Sequence, residues 1–254
     1  MTNLGNNPST ARGAAVAGGV SLLLMAAAAA FAYGFVHQSL IVPGDSAATL
    51  DNLLASPALF RAGIFGWLVI LICDIVAAWA VYLVLKPAHA GISLLGAWFR
   101  IGYAAILGAA LLNLLVVSLL ATPSAETPLL PLEQAQALTA LLLAAFESSW
   151  SAGLIVFGAH LLLVSYLTFR LPAVPKWLSA LLLLAAVGYL SIHSLQTLFP
   201  HNEGFIAILE YVFLVPMTAG ELGFGIWLLW KGGKGPKPEE SRLTGLGGRA
   251  GDAS

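Results

Sequence analysis

The sequence is poor in charge: Asp, Glu, Lys and Arg make up only 9% of its 254 residues, against about 25% in an ordinary soluble domain. Hydrophobic residues make up 59%, and the mean hydropathy is +0.90. A chain with so few charges cannot cover itself with a solvated surface, so the lipid bilayer is its expected surroundings. The formal net charge is −1 and basic residues form no patch, so nucleic acid is not an expected partner.

Cysteine is nearly absent as well. Cys73 is the single cysteine, which excludes an internal disulfide, and its place within an apolar run is typical of a buried thiol that acts as a small hydrophobe. No Gly-x-Ser-x-Gly elbow, phosphate-binding loop or haem motif occurs, and no helix carries a paired-His metal motif. The sequence therefore predicts neither a cofactor nor a metal site.

Long apolar runs are what the sequence does have. Each is long enough to cross a bilayer and is bounded by proline, glycine or charge, and no alternating strand pattern competes. The runs cover about residues 14–37, 60–85, 94–121, 148–169, 176–199 and 204–230. The first is longer than the core of a typical signal peptide, so we interpret it as a membrane span. The expected fold is all-α, a polytopic membrane bundle of about six transmembrane helices.

The distribution of Lys and Arg predicts an orientation with both termini inside. On that assignment only Arg61 lies outside, at a helix end, which follows the positive-inside rule. The cytoplasmic set is Arg12, Lys86, Arg170, Lys176, Lys231, Lys234, Lys237, Arg242 and Arg249. We expect a cytoplasmic N-terminal tail at 1–12, a transmembrane domain at 13–232 and a disordered cytoplasmic tail at 233–254. The expected location is the bacterial plasma (inner) membrane.

Two connections between spans carry structural signals. A turn at 42–45 precedes a short helix capped near Asp45 or Ser46, residue types that accept hydrogen bonds from the first turn. The stretch 132–146 is mostly apolar and helical in pattern. It either lies in the membrane interface or extends the fourth helix outward.

The chain resembles a bacterial family of multi-pass membrane proteins known as domain of unknown function 4386. The resemblance covers residues 12–233, and its segments are fairly specific only as an ordered set. They are 39–45 (SLIVPGD), 59–61 (LFR), 73–74 (CD), 99–100 (FR), 104–108 (AAILG), 158–163 (GAHLLL), 188–190 (GYL), 220–222 (GEL) and 227–232 (WLLWKG). The resemblance implies a helical membrane protein. It implies no particular activity and identifies no site residues.

Four ionisable residues lie deep inside predicted spans: Asp74, Arg100, His160 and Glu221. At 1.5 Å per residue they sit roughly 9–16 Å from the cytoplasmic helix ends, although they come from four helices. Charges at such depth are costly and generally face protein or water. We expect a buried cluster in which the carboxylates balance Arg100. It is either a structural ion pair or a site for a ligand or proton.

A second polar layer is expected nearer the outside. Candidate members are Asn113, Ser149, His193, Gln196 and Glu210. Helical spacing puts Glu210 on the same face as Glu221, and Ser149 on the same face as His160, which favours a wet crevice that descends to the cluster. The alternative is that the outer residues only reach the headgroups. Pro216 interrupts the sixth span between its glutamates, and the tryptophans are interpreted as an interfacial belt.

These patterns favour a non-enzymatic membrane protein that binds or translocates a small solute or proton through the cluster. An intramembrane enzyme, for instance a metal-dependent hydrolase that uses His160, Asp74 and Glu221, is the first alternative. A structural or sensory membrane subunit is the second.

Overall fold

The computed structural model describes residues 8–121 and 130–233, and in these ranges every regular element is a helix. The helices are α1 (Pro8–Ala29), α2 (Ser46–Ala55), α3 (Pro57–Leu85), α4 (Ala90–Leu120), α5 (Leu132–Arg170), α6 (Lys176–Leu198) and α7 (Glu203–Trp230). All except the short α2 are long and apolar enough to span a bilayer. Six candidate spans within the described ranges confirm the predicted bundle.

The helix bounds differ from the apolar runs in informative places. The fourth run is part of one continuous helix, Leu132–Arg170, so the stretch 132–146 extends this span. Pro131 precedes its first turn, where the missing N–H of proline costs nothing. α1 begins at Pro8, inside the stretch assigned to the N-terminal tail. The expected disordered tail lies outside the described residues, apart from Gly233.

The end of α1 is irregular. The helix continues without a break as a π-helical segment, Ala30–His37, and a last turn, Gln38–Leu40. A π-helix has a wider turn and is rare, and such turns are frequently found at functional sites. No sequence pattern predicts this segment, because its apolar residues suit an α-helix equally well.

The six long helices form a closed ring. Each packs against its neighbours in the chain, and α7 packs against α1 to complete the circle. Both ends of the described chain lie on one side, where Arg12 donates hydrogen bonds to the carbonyl oxygens of Leu228 (3.1 Å) and Gly232 (2.9 Å). A guanidinium there satisfies carbonyls that the last turn of α7 leaves open. We call this the termini side, and the opposite end the far side.

Glycines allow α1 and α7 to approach closely on the termini side. A Cβ added at Gly19 would lie 2.6 Å from Cγ of Leu229 and 2.7 Å from the carbonyl oxygen of Gly225. A Cβ added at Gly225 would lie 3.2 Å from Cβ of Leu22. This contact is the glycine seam: Ala15 to Leu22 on α1 against Gly225 to Trp230 on α7 and Gly232 just beyond it. It follows the rule that small residues bring membrane helices together.

The predicted cap of the short far-side helix is confirmed. Asp45 accepts a hydrogen bond from the backbone N–H of Ala48 at 2.9 Å, and Thr49, Leu50 and Leu53 are buried. Replacing Asp45 with alanine is expected to lower the free energy of unfolding by about 1 kcal/mol, whereas asparagine should nearly restore it. Denaturant titration in detergent would measure both. Equal losses for the two variants would contradict the capping role.

Candidate functional site

Three of the four deep residues form one buried network that joins α3, α4 and α5. A terminal guanidinium nitrogen of Arg100 lies 2.8 Å from a carboxylate oxygen of Asp74. The other terminal nitrogen lies 3.3 Å from Nε2 of His160. All three side chains are at most 2% exposed. Arg100 also lies 5.2 Å from the ring centroid of Phe157, within the range of a cation–π interaction.

The hydrogen bonds of His160 fix its tautomer. Nδ1 lies 2.8 Å from the carbonyl oxygen of Gly96, which can only accept, so Nδ1 carries the proton. The lone pair on Nε2 then faces the guanidinium of Arg100. Both ring nitrogens are therefore occupied within the protein, and His160 orients Arg100 with no nitrogen free to hold a ligand.

The ion pair is close but not fully hydrogen-bonded. Both carboxylate oxygens of Asp74 and Nε of Arg100 lack a hydrogen-bond partner among the described residues, although the charged groups are 2.8 Å apart. Attraction between opposite charges in a medium of low dielectric holds the two groups together. Each group depends on the other, because either charge alone would be very costly in this interior.

Glu221 lies apart from this network, on the wall of a cavity. Its carboxylate accepts a hydrogen bond from the hydroxyl of Tyr189 at 2.7 Å, and it interacts electrostatically with Arg100 and Asp74 without direct contact. Helix depth alone predicts one cluster of all four ionisable residues. The structure divides them into a buried network of three and a single carboxylate on the cavity wall.

The cavity occupies the centre of the ring and has a volume of about 560 Å³, within the usual range for small-molecule sites. All six long helices contribute lining residues. Aromatic side chains form much of the wall: Tyr33, Trp67, Tyr103, Trp150, Phe157 and Tyr189. Asp74, Arg100 and His160 are not among the lining residues, so Glu221 is the deep ionisable group that meets the cavity.

The aromatic wall corrects the expectation of an interfacial belt. Trp67 is only 3% exposed, and its ring centroid lies 4.9 Å from that of Trp150. Both face the cavity, so the belt interpretation is wrong for these two tryptophans. Length and hydropathy could not show the difference, because a tryptophan near the outer end of a span suits either position.

A chain of hydrogen bonds lies toward the far side of the cavity. Ser151 and His193 each contact the amide oxygen of Gln196 at 2.8 Å, and the amide nitrogen of Gln196 donates to Glu210 at 3.0 Å. Three members of the predicted outer layer, His193, Gln196 and Glu210, therefore come together. Ser151 was not among the predicted members of the outer layer. Its position one helical turn after Glu147 and Ser148, in the same polar stretch, is the signal that could have found it.

The other two members of the predicted outer layer do not join this chain. The side chain of Asn113 donates to the carbonyl oxygen of Ala110 on its own helix at 3.0 Å. Neither Asn113 nor Ser149 lines the cavity. From α5 the lining residues are Trp150, Leu154 and Phe157.

Metal-ligand geometry does not occur in residues 8–121 and 130–233: no three His, Cys, Asp or Glu side chains there are placed to hold an ion. His160, Asp74 and Glu221, the triad considered for a metal-dependent hydrolase, are divided between the buried network and the cavity wall. The donor set of the described residues therefore does not fit that chemistry.

A ring of six spanning helices around a central cavity defines a multi-pass membrane protein. Residues 17–232 match the model of the family described as Domain of unknown function (DUF4386), and the chain belongs to that family. An "Uncharacterized protein" of Archaeoglobus fulgidus is 32% identical over 171 residues, which are 67% of this chain and 84% of the relative.

Part of the chain is also similar to a transporter. "Aromatic amino acid transport protein AroP" from two Escherichia coli strains is 30% and 31% identical over 109 residues. The match covers 41% of this chain and only 23% of AroP. No solved structure matches the chain significantly.

Proposed function

We propose that this protein binds a small solute or a proton in its central cavity, with Glu221 as the anchor, and moves it across the membrane. The observation that carries the proposal is the cavity of about 560 Å³ with a carboxylate in its wall. A carboxylate at this depth is costly and is retained most readily where it has a partner to bind. Tyr189 holds Glu221 in place and leaves its second oxygen for a ligand.

The buried network supports a framework role behind this site. Asp74, Arg100 and His160 tie α3, α4 and α5 together, and Arg100 contacts two lining residues of the cavity, Phe157 and Met25. On this proposal the network positions the aromatic wall, while Glu221 meets the ligand. The ion pair between Asp74 and Arg100 has a structural role on this proposal, because two paired charges need no ligand to be stable.

We place the termini side in the cytoplasm of a bacterial plasma membrane. The basic residues Arg12, Lys86, Arg170, Lys176 and Lys231 occupy that side of the bundle, which supports the orientation by the positive-inside rule. The cavity and Glu210 would then lie toward the outside. The partial likeness to AroP is in keeping with transport, although it extends over too little of that protein to suggest a substrate.

The proposal predicts that the purified protein gains stability from a ligand through Glu221. Benzylamine, benzoate and benzyl alcohol form a panel of similar size with positive, negative and no charge. A bound probe at about 100 times its Kd should add roughly 2.7 kcal/mol to the free energy of unfolding, and Glu221→Gln should abolish the gain. Proteoliposomes with a trapped pH-sensitive dye would test proton movement in parallel.

Glu203→Gln is the matched control, because Glu203 is on the same helix but does not line the cavity. It should behave as the wild type. The proposal fails if no probe stabilises the wild type and its proton flux equals that of protein-free vesicles. A Glu221→Gln variant that folds normally and keeps full binding and flux would also refute it.

A further inference from the structure

The cavity is not equally enclosed on all sides of the ring. On the termini side the glycine seam holds α1 and α7 together up to Leu22 and Gly225. Beyond the seam, Met25, Ala26, Ala29 and Tyr33 on α1 and its π-helical segment line the cavity, as do residues of α7 from Glu221 back to Glu210. Here both helices line the cavity side by side, and the π-helical segment is not closely packed against α7. We call the space between them the gap.

Several of these lining residues are only partly covered by the rest of the protein. Tyr33 is 37% exposed and Leu214 is 59% exposed, and Thr218 is exposed as well. At 1.5 Å per residue, Thr218 lies about 18 Å and Leu214 about 24 Å along α7 from Trp230. The hydrocarbon core of a bilayer is about 30 Å thick. The gap between α1 and α7 is therefore at the level of the lipid tails, from the middle of the bilayer to the far leaflet.

Both helices that flank the gap carry a backbone irregularity at this level. The π-helical segment Ala30–His37 is on one side, and Pro216 within α7 is on the other. Such segments interrupt regular hydrogen bonding and permit bending. The flanking helices are therefore deformable where a ligand would pass.

The chemistry of the wall indicates the charge of that ligand. Glu210 and Glu221 are the acidic lining residues, and no Lys or Arg lines the cavity in the described part of the chain. Arg100 is already paired with Asp74. The faces of Tyr and Trp rings attract cations, most strongly where water is excluded. An aromatic wall with two carboxylates favours a cation over an anion of the same size.

We propose that the cavity is a site for a lipophilic organic cation, such as a hydrophobic amine or quaternary ion, and that it opens laterally to the bilayer between α1 and α7. The proposal rests on the proposed function and adds the ligand class and the route to it. The apolar part of the ligand reaches the cavity from the lipid, and its positive charge lies near Glu221.

The ligand class is tested with tetraphenylphosphonium and tetraphenylborate, two ions of nearly the same shape and opposite charge. Full-length protein in lipid nanodiscs should bind radiolabelled tetraphenylphosphonium saturably and show no saturable binding of tetraphenylborate. Glu221→Gln should weaken the binding about tenfold or more, as expected for loss of a charge-assisted contact. Size-exclusion profiles establish that each variant is folded.

The route is tested by cysteine protection in a Cys73→Ala background, since Cys73 is the only natural thiol. Tetraphenylphosphonium should slow the reaction of N-ethylmaleimide with Thr218→Cys, which is in the gap. It should not slow the reaction with Val215→Cys, which is 68% exposed on the same helix but does not line the cavity. Leu214→Cys provides a second gap position.

The outcomes distinguish this inference from the proposed function. Binding of tetraphenylborate as tight as that of the cation would overturn the ligand class and leave solute binding intact. Bound cation that protects neither gap position, or protects Val215→Cys equally, would overturn the lateral opening. Flux of protons through Glu221 with no binding of either ion would overturn the inference while the proposed function stands.

Discussion

Asp74→Ala is expected to lower the free energy of unfolding by about 3–5 kcal/mol, because it leaves the guanidinium of Arg100 buried without its counter-charge. The variant should accumulate poorly in the membrane, since this loss is a large fraction of the stability of a typical domain. Denaturation in mixed micelles and the amount of protein recovered from membranes would measure the effect. The neighbouring contact with His160 cannot compensate, because a neutral imidazole supplies no negative charge.

A double variant separates the ion pair from its surroundings. Asp74→Leu with Arg100→Met removes both charges and keeps apolar volume, so much of the lost stability should return. Asp51→Ala is a suitable control, because Asp51 is exposed on the short far-side helix, and it should change stability little. If the double variant is no more stable than Asp74→Ala, the two side chains stabilise the fold by more than balancing each other's charge. If the folded double variant still binds ligand, Asp74 and Arg100 are not needed for binding, and Glu221 is the anchor.

Gly19→Ala should be the second most damaging of these substitutions. Its new methyl group would lie 2.6 Å from Leu229 and 2.7 Å from the backbone oxygen of Gly225. A side chain can turn aside, but a backbone oxygen moves only with its helix, so α1 and α7 must separate. Such overpacking typically costs about 1–3 kcal/mol, and here it acts on the contact that closes the ring.

Gly34→Ala is the matched substitution on the same span. A Cβ added at Gly34 meets nothing within 4 Å, so the variant should be neutral or slightly more stable, because alanine loses less conformational freedom on folding. Thermal unfolding of the two variants in the same detergent would compare them. A loss at Gly34 equal to that at Gly19 would mean that the glycines matter for chain conformation and not for helix contact.

The helices could be predicted from the sequence because each span is determined locally. A run of about 20 apolar residues must form a helix in lipid, where unpaired backbone groups are very costly. The far-side cap at Asp45 was predictable for the same reason, since its partner is only three residues away. The π-helical segment was not predictable, because Ala30–His37 is an apolar stretch that suits an α-helix as well, and its one glycine is tolerated in either form.

The candidate site was only partly predictable. Depth along a helix follows from counting residues, so the level of Asp74 and Arg100 in the bundle could be anticipated. The direction in which each side chain points around its helix depends on which helices are neighbours. That information was missing for Glu221, which faces the cavity and Tyr189 and makes no contact with Arg100. The cavity itself is a property of the ring and has no local sequence signal.

The closed ring also sets an order of assembly. Contacts between helices adjacent in the chain form as each new span enters the membrane, and such local contacts form readily. The contact between α1 and α7 joins helices far apart in the sequence and must wait until α7 is in the membrane. Before α7 packs against α1, the other helices form an incomplete ring that already contains Asp74 and Arg100 but lacks Glu221. The chamber and its acidic lining residues, Glu210 and Glu221, are completed together when α7 joins the ring.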